Sequence, residues 1–521
     1  MKRDAMIALM KNQQEEYDFI IIGGGATGIG IALESITRGY KTLLVEKSDF
    51  TKSTSGKSTK LVHGGVRYLA QGNIALVREA CIERGRLLKN APHLVKNQTF
   101  IIPTFGFFDE IKYTLGLTLY DMLAGKYSLG RSMHIPKQKV LQRITTLNPQ
   151  KFTAGVVYHD GQFDDSRLAI NALQTAAALG AHIINYMPVS GLSKNAAGKI
   201  NGIYVTDLES SEKHHVKGQV IINATGVFAD EILQMDTPGI KKIICPSQGI
   251  HIVLDKSFLP GTDAIMIPKT DDGRVLFAVP WHNRVVVGTT DTPLPVATLE
   301  PVALEEEIDF ILTTTSRYLT KAPSRKDVLS VFAGLRPLAA PDGDNKKTRE
   351  ISRSHKIFVS KSGLFTMVGG KWTTFRRMAE DMLKKVESIK SWKKTRSKTR
   401  NLRLHGYMKN ADIADPLYFY GTDRELILNL VNSEAGLQGI LSAKLGLHKV
   451  QVVWAVRNEM ARTLEDVLSR RTRCLLLDAA ESLRIAPEVA AIMAKELNRD
   501  DQWIQNEICD FKNVAVNYIL E

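Results

Sequence analysis

The sequence predicts an α/β protein in three parts: a lobe built on a βαβ unit, a lobe with a mixed β-sheet, and a C-terminal all-α domain. Three observations support this prediction. Residues 17–50 combine a strand pattern, a glycine-rich turn and helical apolar spacing, residues 243–290 read as successive short strands, and the chain after 404 carries amphipathic helical patterns. A chain of 521 residues also exceeds what one hydrophobic core usually supports, so more than one domain is expected.

The βαβ unit is the strongest local pattern. In "YDFIIIGGGATGIGIALESITRGYKTLLVEKSDF", residues 17–50, an apolar run precedes the glycines, apolar residues then recur at helical spacing, and "KTLLVE" forms a second strand. Gly23, Gly25 and Gly28 make a GxGxxG turn between strand and helix, and Glu46 ends the second strand. Such glycines let the backbone approach a pyrophosphate at the helix N-terminus, while the acidic residue accepts hydrogen bonds from ribose hydroxyls. The unit therefore predicts a Rossmann-like dinucleotide site rather than a purely structural turn.

The residues that follow this unit favour FAD over NAD as the dinucleotide. Nicotinamide dehydrogenases usually continue with further βα units. Here the second strand leads into "SDFTKSTSGKSTKLVHGGVRYL", a polar segment of hydroxyls and glycines that is able to wrap a cofactor that stays bound. A later strand ends at Ala224, Thr225 and Gly226, where a second loop would return to the cofactor. Together the two segments predict a flavoprotein.

The later elements also follow from local patterns. Residues 165–180 read as a helix, residues 218–226 as a strand, and "RVLFAVPWHNRVVVGTTD" as a hairpin that turns at His282 and Asn283. A helix is expected near 303–319, and another begins after "MVGGK". In the last part of the chain, one face of a predicted helix carries Val453, Val456, Met460, Leu464 and Val467.

The chain is basic, with 69 Lys and Arg against 55 Asp and Glu and a formal net charge of +14. A positive surplus suits an anionic partner such as nucleic acid, acidic lipid or a phosphorylated substrate. Part of it is local, because "IKSWKKTRSKTRNLR" at 389–403 carries seven basic residues and no acid, which is typical of a solvated linker. Trp392 is the single aromatic residue of that run, so binding of nucleic acid is not expected.

Cysteine usage and hydropathy bound the cellular setting. The four cysteines have no CxxC spacing, so neither a disulfide framework nor a metal site is predicted, and a reducing compartment fits best. The N-terminal segment has only a five-residue apolar run, and no stretch approaches the roughly 18 apolar residues of a spanning helix. Any membrane contact is therefore expected to be peripheral.

Seven motifs follow one another along the chain: "IIGGGATGIG", "STKLVHGGVRYL", "GIHIVL", "VVVGTTD", "AGLRPL", "ISRSHKI" and "GGKWTTFRRMAE". Their order resembles FAD-dependent glycerol-3-phosphate dehydrogenases, a branch of the D-amino-acid-oxidase-like flavoproteins. The resemblance runs from about residue 17 to the end, where residues 420–422 and 457–473 look like the helical domain that closes members of this family. It implies oxidation of sn-glycerol 3-phosphate to dihydroxyacetone phosphate and transfer of electrons to quinone. It also implies peripheral attachment to the inner face of the bacterial cytoplasmic membrane.

The resemblance and the element pattern together predict how the lobes divide the chain. We expect a discontinuous FAD-binding lobe from 17–100, 151–240 and 356–388, and a mixed-sheet, substrate-binding cap lobe from 101–150 and 241–355. A basic linker over 389–403 and the helical domain over 404–521 complete the prediction.

Oxidising a secondary alcohol requires a base for the hydroxyl proton and a hydride acceptor, and flavin N5 is such an acceptor. His251, in the apolar "GIHIVL", is the predicted base, because the histidine pKa of about 6.5 suits the task and a strand holds the ring still. A buried histidine bonded to a backbone carbonyl is the alternative. His63 is a second candidate base, although its position before two glycines also suits a turn.

Three arginines stand in motifs otherwise built of small or apolar residues: Arg67, Arg336 and Arg353. Guanidinium groups and ammonium groups are the donors that a phosphate dianion requires. The resemblance implies that Arg67, Arg336 and Lys371 face the flavin and substrate, with Arg353 nearby. Tyr68 would add an aromatic wall or a hydroxyl donor, and surface ion pairs are the alternative for each arginine.

The turn "MVGGKWTTF" is predicted to serve the flavin. A helix capped by Thr373 or Thr374 would place N–H groups and Lys371 near flavin N1 and the C2 carbonyl, where negative charge gathers. The full set of predicted cofactor contacts is Gly23, Gly25, Gly28, Glu46, Ser55, Ser58, Lys60, His63, Gly64, Ala224, Thr225, Gly226, Gly370, Lys371 and Thr373.

Two questions stay open at the level of sequence. Apolar residues over 105–123 suit core packing, a dimer contact, or a surface that dips into lipid where quinone resides. The acceptor is either quinone or dioxygen, and a related flavoprotein acting on another hydroxy or amino acid is a further alternative. The oxidase branch resembles a longer chain with an insertion, so the compact length here favours a dehydrogenase.

Overall fold

The computed structural model describes residues 1–70, 72–268, 270, 273–340 and 355–521, without the side chains of residues 67 and 70. The strands are β1 Tyr17–Ile22, β2 Thr42–Val45, β3 Leu61–Val62, β4 Val95–Thr104, β5 Met133–Pro136, β6 Ala154–Phe163, β7 His182–Ile184, β8 Val189–Lys194, β9 Ile200–Thr206, β10 Lys213–Asn223, β11 Ile244–Asp255, β12 Ala264–Ile267, β13 Leu276–Trp281, β14 Arg284–Gly288, β15 Thr292–Pro293, β16 Val328–Ala339, β17 Lys356–Val359, β18 Phe365–Val368, β19 Ile440–Ser442 and β20 Leu447–His448. The helices are α1 Arg3–Lys11, α2 Ala26–Thr37, α3 Val66–Ala70, α4 Ile74–Asn90, α5 Phe107–Ala124, α6 Lys137–Arg143, α7 Asp165–Ala178, α8 Ala229–Asp236, α9 Glu305–Tyr318, α10 Phe375–Ile389, α11 Asp423–Ser433, α12 Lys449–Glu459, α13 Cys474–Leu477, α14 Ala479–Leu497 and α15 Asp501–Ala515.

The first sheet has eight strands in the order β17-β18-β10-β1-β2-β7, with β9 paired to β10 and β8 to β9. β18, β10, β1, β2 and β7 run parallel. Phe19 and Ile21 enter one core with α2, α7 and α10, whereas Ile20 and Ile22 enter a second core with β8, β9 and α8. Burial on both faces explains why β1 reads as a continuous apolar run instead of an alternating one.

The second sheet has ten strands in the order β15-β11-β14-β13-β12-β4-β6-β3, with β16 paired to β11 and β5 to β6. The pairing is mixed: β12 and β4 are parallel, and the other pairs are antiparallel. The hairpin predicted at His282 and Asn283 is confirmed, and both residues have positive φ, at 44° and 58°. Asparagine tolerates this left-handed conformation, which two-residue hairpins require.

The division into lobes remains a prediction, and the sheet to which each strand belongs concerns the boundaries of the predicted lobes. β4 and β6 belong to the second sheet, although the sequence predicts residues 95–100 and 154–163 for the FAD-binding lobe. The two strands pair with each other over ten positions, from Val95 opposite Phe163 to Thr104 opposite Ala154. A long-range pairing of this kind leaves no mark in either local pattern.

The C-terminal part contains α11 to α15 and one short hairpin, β19–β20. Apolar residues of α12 to α15 share one core with side chains of β11, β13, β14 and β16 of the second sheet. The single helix predicted through Val453 and Val467 is wrong, because α12 ends at Glu459 and Met460 adopts left-handed φ of 57°. A π-helical segment, Asp466–Arg471, begins after the break. The Asp466 carboxylate accepts from the amides of Arg462 and Thr463, which satisfies the interrupted backbone.

The basic run over 389–403 has alternating surroundings. Its lysines and arginines are exposed, whereas Trp392, Thr395, Ser397 and Thr399 are partly or fully buried. Trp392 stacks on Tyr40 with ring centroids 5.4 Å apart, and the Ser397 hydroxyl donates to the Glu34 carboxylate at 3.0 Å. The charged side chains of the run are exposed, as predicted, and the residues between them attach the run to Tyr40 and Glu34.

Candidate active site

The loops after β1, β2, β10 and β18 open at one edge of the first sheet, because these strands are parallel neighbours. Ile22 pairs with Val45 on one side and with Asn223 on the other. The carboxyl ends of parallel strands are where such sheets bind ligands. Residues of these loops line a cavity of about 350 Å³, and the loops begin at Gly23, Glu46, Ala224 and Gly369.

The glycine-rich turn meets the β10 loop without room for side chains. Gly23 has φ of 113°, and a Cβ there would lie 2.7 Å from the Ala224 carbonyl oxygen. A Cβ on Gly28 would clash with the Gly23 carbonyl, so this glycine allows helix and turn to pack and does not line the cavity. Gly25 is the N-cap of α2 and provides no side-chain cap. The Ser55 hydroxyl accepts from the Ala26 amide at 2.9 Å.

Glu46 lines the cavity, as predicted, and also braces the turn. Its two carboxylate oxygens accept from the backbone amides of Gly24 and Ser48 at 2.6 and 2.9 Å. Burial raises the pKa of Glu46 above its ordinary value, against the effect of these two amides. Each carboxylate oxygen has a further lone pair, so Glu46 is still able to accept from a ribose hydroxyl.

The polar segment after β2 faces the cavity with some of its predicted residues and anchors itself with others. Ser55, Ser58 and His63 line the cavity. Lys60 does not, because its ammonium group is buried and lies 2.7 Å from an Asp165 carboxylate oxygen. Gly64 does not either, since its amide donates to Asp160 at 3.2 Å and a Cβ there would clash with the Tyr120 hydroxyl.

The β10 loop and the turn after β18 complete the cofactor side of the cavity. Ala224, Thr225 and Gly226 line it, and the Thr225 hydroxyl donates to the Asn223 side chain at 2.7 Å. Gly370, Lys371 and Thr373 line it from the other direction. The predicted cap is only partly right: Thr374 is the N-cap of α10 but accepts no capping hydrogen bond.

Arg336 and His251 enter the same cavity from adjacent strands of the second sheet. Arg336 lies on β16 opposite Ser247 of β11, and His251 lies four residues further along β11. The Arg336 guanidinium donates to the Asp291 carboxylate at 3.1 Å, and to the carbonyl oxygens of Gln248 and Thr290 at 3.1 and 2.9 Å. These contacts hold a cation at the cavity wall.

His251 is buried, and its hydrogen bond goes to a side chain and not to a backbone carbonyl. Nε2 lies 2.9 Å from the Thr59 hydroxyl. The ring stacks on Phe332, with centroids 5.0 Å apart and an interplanar angle of 17°. Burial first, and then the charges of Arg336 and Lys60, hold the pKa of His251 well below its ordinary value. The imidazole is therefore neutral around pH 7.

Lys371 and Tyr68 meet at the cavity wall, with the ammonium nitrogen 3.9 Å from the ring centroid. This distance is that of a cation–π contact. The side chain of Arg67 and the whole of Arg353 lie outside the described residues. The structure thus brings together fifteen of the predicted site residues around one cavity: Gly23, Gly25, Glu46, Ser55, Ser58, His63, Tyr68, Ala224, Thr225, Gly226, His251, Arg336, Gly370, Lys371 and Thr373.

Comparison with known proteins identifies the family of this chain. The family described as FAD dependent oxidoreductase matches residues 18–376, and the C-terminal domain of alpha-glycerophosphate oxidase matches 364–504. The mitochondrial glycerol-3-phosphate dehydrogenase of Bos taurus is 37% identical over 97% of this chain, which spans 74% of that protein. The chain belongs to the FAD-dependent glycerol-3-phosphate dehydrogenase family.

Solved structures agree with this family assignment. The FAD complex of the glycerol-3-phosphate dehydrogenase from Bacillus halodurans superposes with a TM-score of 0.81 and 26% identity, covering 99% of this chain and 98% of that one. The L-alpha-glycerophosphate oxidase from Mycoplasma pneumoniae shares the fold at 18% identity, with a TM-score of 0.55 and coverage of 74% of this chain and 98% of that one. The predicted α/β fold and the predicted FAD cofactor are both confirmed.

The residues of the turn fit the dinucleotide part of FAD. Glycines at 23 and 25 leave the N-terminus of α2 open to an anion, and Glu46 stands at the end of the next strand. Helix N-termini stabilise the negative charge of a pyrophosphate through their unpaired N–H groups. Met187 and Phe228 also line the cavity, and the Lys47 ammonium lies 4.3 Å from the Phe228 ring centroid.

Sequence reasoning missed several residues of the site. Thr59 lies in the motif "STKLVHGGVRYL" between the predicted site residues Ser58 and Lys60, so its hydroxyl is a signal that the sequence contains. Asp165 is more than one hundred residues from Lys60 and carried no signal. Met187 and Phe228 read as ordinary apolar residues, and only the parallel order of the strands brings them to the cavity.

Proposed function

We propose that this chain oxidises sn-glycerol 3-phosphate to dihydroxyacetone phosphate with FAD as the hydride acceptor. The observation that carries the proposal is a single cavity lined by the FAD-type glycine turn and by His251, Arg336 and Lys371. Bound FAD supplies the hydride acceptor, its N5 atom. The described residues supply the binding, the orientation and the base.

Substrate binding rests on cations at the cavity wall. Arg336 and Lys371 bind the phosphate or the charge that develops at the reacting carbon, and Arg67 and Arg353 are proposed to assist them. Asp291 and two carbonyl oxygens orient the Arg336 guanidinium before substrate arrives. A preoriented guanidinium loses little side-chain entropy on binding, which favours it over a mobile surface arginine.

His251 is the proposed base. Its low pKa keeps the imidazole neutral at physiological pH, so a lone pair is available for the hydroxyl proton. Phosphate binding near Arg336 offsets one of the two cations that disfavour the imidazolium ion. Tyr68 supports Lys371 through the cation–π contact, and His63 lies at the same wall as an alternative base.

We further propose that electrons pass to quinone at the inner face of a bacterial cytoplasmic membrane, to which the protein attaches peripherally. The support is α5, whose outer side carries an exposed apolar row, and Phe107 and Phe108 there are 68% and 87% exposed. This α5 apolar row consists of Phe107, Phe108, Ile111, Leu115, Leu119 and Met122. No helix within the described ranges is long and apolar enough to cross a bilayer.

A contiguous exposed apolar surface of this kind marks an interaction site. Lys112 and Lys126 are exposed on and after the same helix, which suits acidic headgroups. A homodimer across the α5 apolar row is the competing use of this surface. Vesicles of phosphatidylglycerol and phosphatidylethanolamine should sediment the wild-type protein, and Phe107→Ser/Phe108→Ser should stay in the supernatant. Ile413→Ser removes another exposed apolar side chain and is the matched control.

An anaerobic absorbance titration tests the reaction itself. Glycerol 3-phosphate should bleach the flavin of the purified protein, and a soluble quinone analogue should restore the oxidised spectrum. A colourless protein that takes up no flavin, or a flavin that the substrate does not bleach, would contradict the proposal. Turnover in air that yields near-stoichiometric peroxide would instead indicate the oxygen-using oxidase.

A further inference from the structure

The ring of His251 is almost completely buried, although part of it lines the cavity. Its exposure is 3%, Phe332 stacks on one face, and a Cβ on Gly288 of the neighbouring strand would clash with ring Cδ2. Nδ1 is also buried, and it has no hydrogen-bond partner among the residues that the structure describes. A base in this position needs a path for the proton between its ring and the substrate.

Thr59 occupies that path. Its hydroxyl lies 2.9 Å from His251 Nε2, and it is the ring's hydrogen-bond partner within the described part of the chain. Thr59 is only half-buried and lines the cavity. The hydroxyl therefore stands between the buried imidazole and the space that the substrate would enter.

The residues on both sides of Thr59 are anchored, which fixes the direction of its side chain. The Ser58 hydroxyl donates to Asp165 at 2.7 Å. The Lys60 ammonium donates to both Asp165 carboxylate oxygens, at 2.8 and 2.7 Å, and to the Gly56 carbonyl at 2.8 Å. Lys60 has φ of 61°, a conformation that costs a non-glycine residue energy and persists only where the surroundings enforce it.

Together these contacts orient Thr59 from the protein interior. Asp165 is the first residue of α7, and its side chain, like that of Lys60, is fully buried. The segment over 58–60 is thus attached to a helix of the first lobe, while the His251 ring belongs to the second sheet. The Thr59–His251 hydrogen bond joins the two across the cavity.

We propose that Thr59 is a proton relay in the reaction assigned above, on which this inference rests. As the substrate O–H bond breaks, its proton passes to Thr59 Oγ1 and the Thr59 hydroxyl proton passes to His251 Nε2. With FAD bound, the cofactor would take the hydride from the carbon that carries this hydroxyl, and a C=O bond would form at that carbon. His251 gains one positive charge, and Thr59 ends as the neutral hydroxyl that it was. The relay requires that the neutral imidazole carries its proton on Nδ1, so that Nε2 accepts the proton from Thr59.

Stopped-flow reduction of the flavin under anaerobic conditions tests the relay. Thr59→Val removes the hydroxyl at nearly constant volume, and we expect the rate at saturating glycerol 3-phosphate to fall by about 10²–10⁴-fold, the range of general acid–base catalysis. Thr59→Ser should stay within about fivefold of wild type, because any hydroxyl at this place relays the proton. Apparent substrate affinity should change little in either variant. The wild type should show a solvent isotope effect in D₂O with a curved proton inventory, and Thr59→Val should lose the curvature.

A second readout reports on the resting enzyme and needs no turnover. In the FAD-loaded protein labelled with ¹⁵N-histidine, the His251 signals are assigned by their loss in His251→Asn. We expect Nε2 to have the shift of an unprotonated nitrogen, and that shift should change in Thr59→Val. Thr315→Val is the matched control, because it also removes a buried hydroxyl, one that donates to Ile311 within α9.

The outcomes separate this inference from the proposed function. If glycerol 3-phosphate fails to bleach wild-type flavin, the proposed function is wrong. If wild type is bleached and Thr59→Val is reduced within threefold of its rate, the relay is wrong and the function stands. A rate in Thr59→Ser as low as in Thr59→Val also overturns the relay, and so does a proton on Nε2 in the resting protein.

Discussion

Replacing Arg336 with alanine should weaken substrate binding without loss of FAD. The magnitude follows from the contacts of the guanidinium. Its two terminal nitrogens already donate to Gln248, Thr289, Thr290 and Asp291. These four bonds use all the N–H groups of both nitrogens, so the guanidinium is not free for a bidentate grip on phosphate. We therefore count one charge-assisted contact with phosphate, made in place of one of these bonds, at about 1.5–3 kcal/mol.

This free energy corresponds to a dissociation constant raised by about 10–150-fold, since 1.4 kcal/mol is a factor of ten. Two contacts, as in bidentate binding, would double the free energy and so square the expected fold-change in the dissociation constant. The variant should keep its fold, because Asp291 still accepts a hydrogen bond from the Ser247 hydroxyl. Arg336→Lys keeps the charge without the planar fork, and it should recover part of the affinity.

Flavin absorbance provides the assay. Anaerobic titration with glycerol 3-phosphate gives the apparent dissociation constant, and the visible spectrum after gel filtration gives the FAD content. A variant that loses FAD but keeps its Michaelis constant would refute the reasoning, because Arg336 would then belong to the cofactor site. Arg325→Ala is the control, since its ion pair with Glu305 lies at the surface.

Three further results are expected. His251→Asn should slow flavin reduction at saturating substrate by about 10²–10⁴-fold, and the acid limb of the wild-type rate should lie below pH 6.5, approximately, because the His251 pKa is lowered; an unchanged rate would transfer the base role to His63 or water. Lys60→Met should lower the free energy of unfolding by about 3–5 kcal/mol, because it leaves the Asp165 carboxylate buried without its cation. Lys11→Met, in the exposed pair with Glu212, should change the free energy of unfolding little. Melting curves that are the same for the two variants would contradict this prediction. Burial raises the pKa of Glu507 from 4.5 to about 7, so the folded chain binds more protons than the unfolded chain between those pH values, and stability falls as pH rises through them. Glu507→Gln removes this titration, so the melting temperature of the variant should exceed that of wild type by more at pH 8 than at pH 5. If the melting temperatures of the two proteins depend on pH in the same way, the assignment is refuted.

Local patterns predicted most of the elements that form the cavity. The unit over 17–50 folds as strand, turn and helix because its apolar spacing and glycines agree with one another at every position. The same holds for the turn at His282 and Asn283, whose residue types suit the backbone conformation. Motifs within one turn or strand end, such as 224–226 and 369–373, were likewise readable.

Predictions failed where tertiary packing, and not the spacing of apolar residues, decides the backbone conformation. Val453, Met460 and Val467 are all buried, as a helical face predicts, yet the helix breaks at Met460. Side chains inside a core satisfy the same apolar pattern whether the backbone between them is continuous or not. The 105–123 segment shows the converse, since its apolar residues divide between a buried side at Leu117 and Tyr120 and the exposed α5 apolar row.

The sequence by itself determined the dinucleotide turn, the kind of cofactor and the family, because each depends on residues that are close along the chain. The tertiary structure decided which polar side chains face the cavity: it buried Lys60 against Asp165 and set the Thr59 hydroxyl against His251. These pairs join residues 105 and 192 positions apart. Their contacts depend on strand order and on the burial of charge, and neither quantity is a property of any short stretch of sequence.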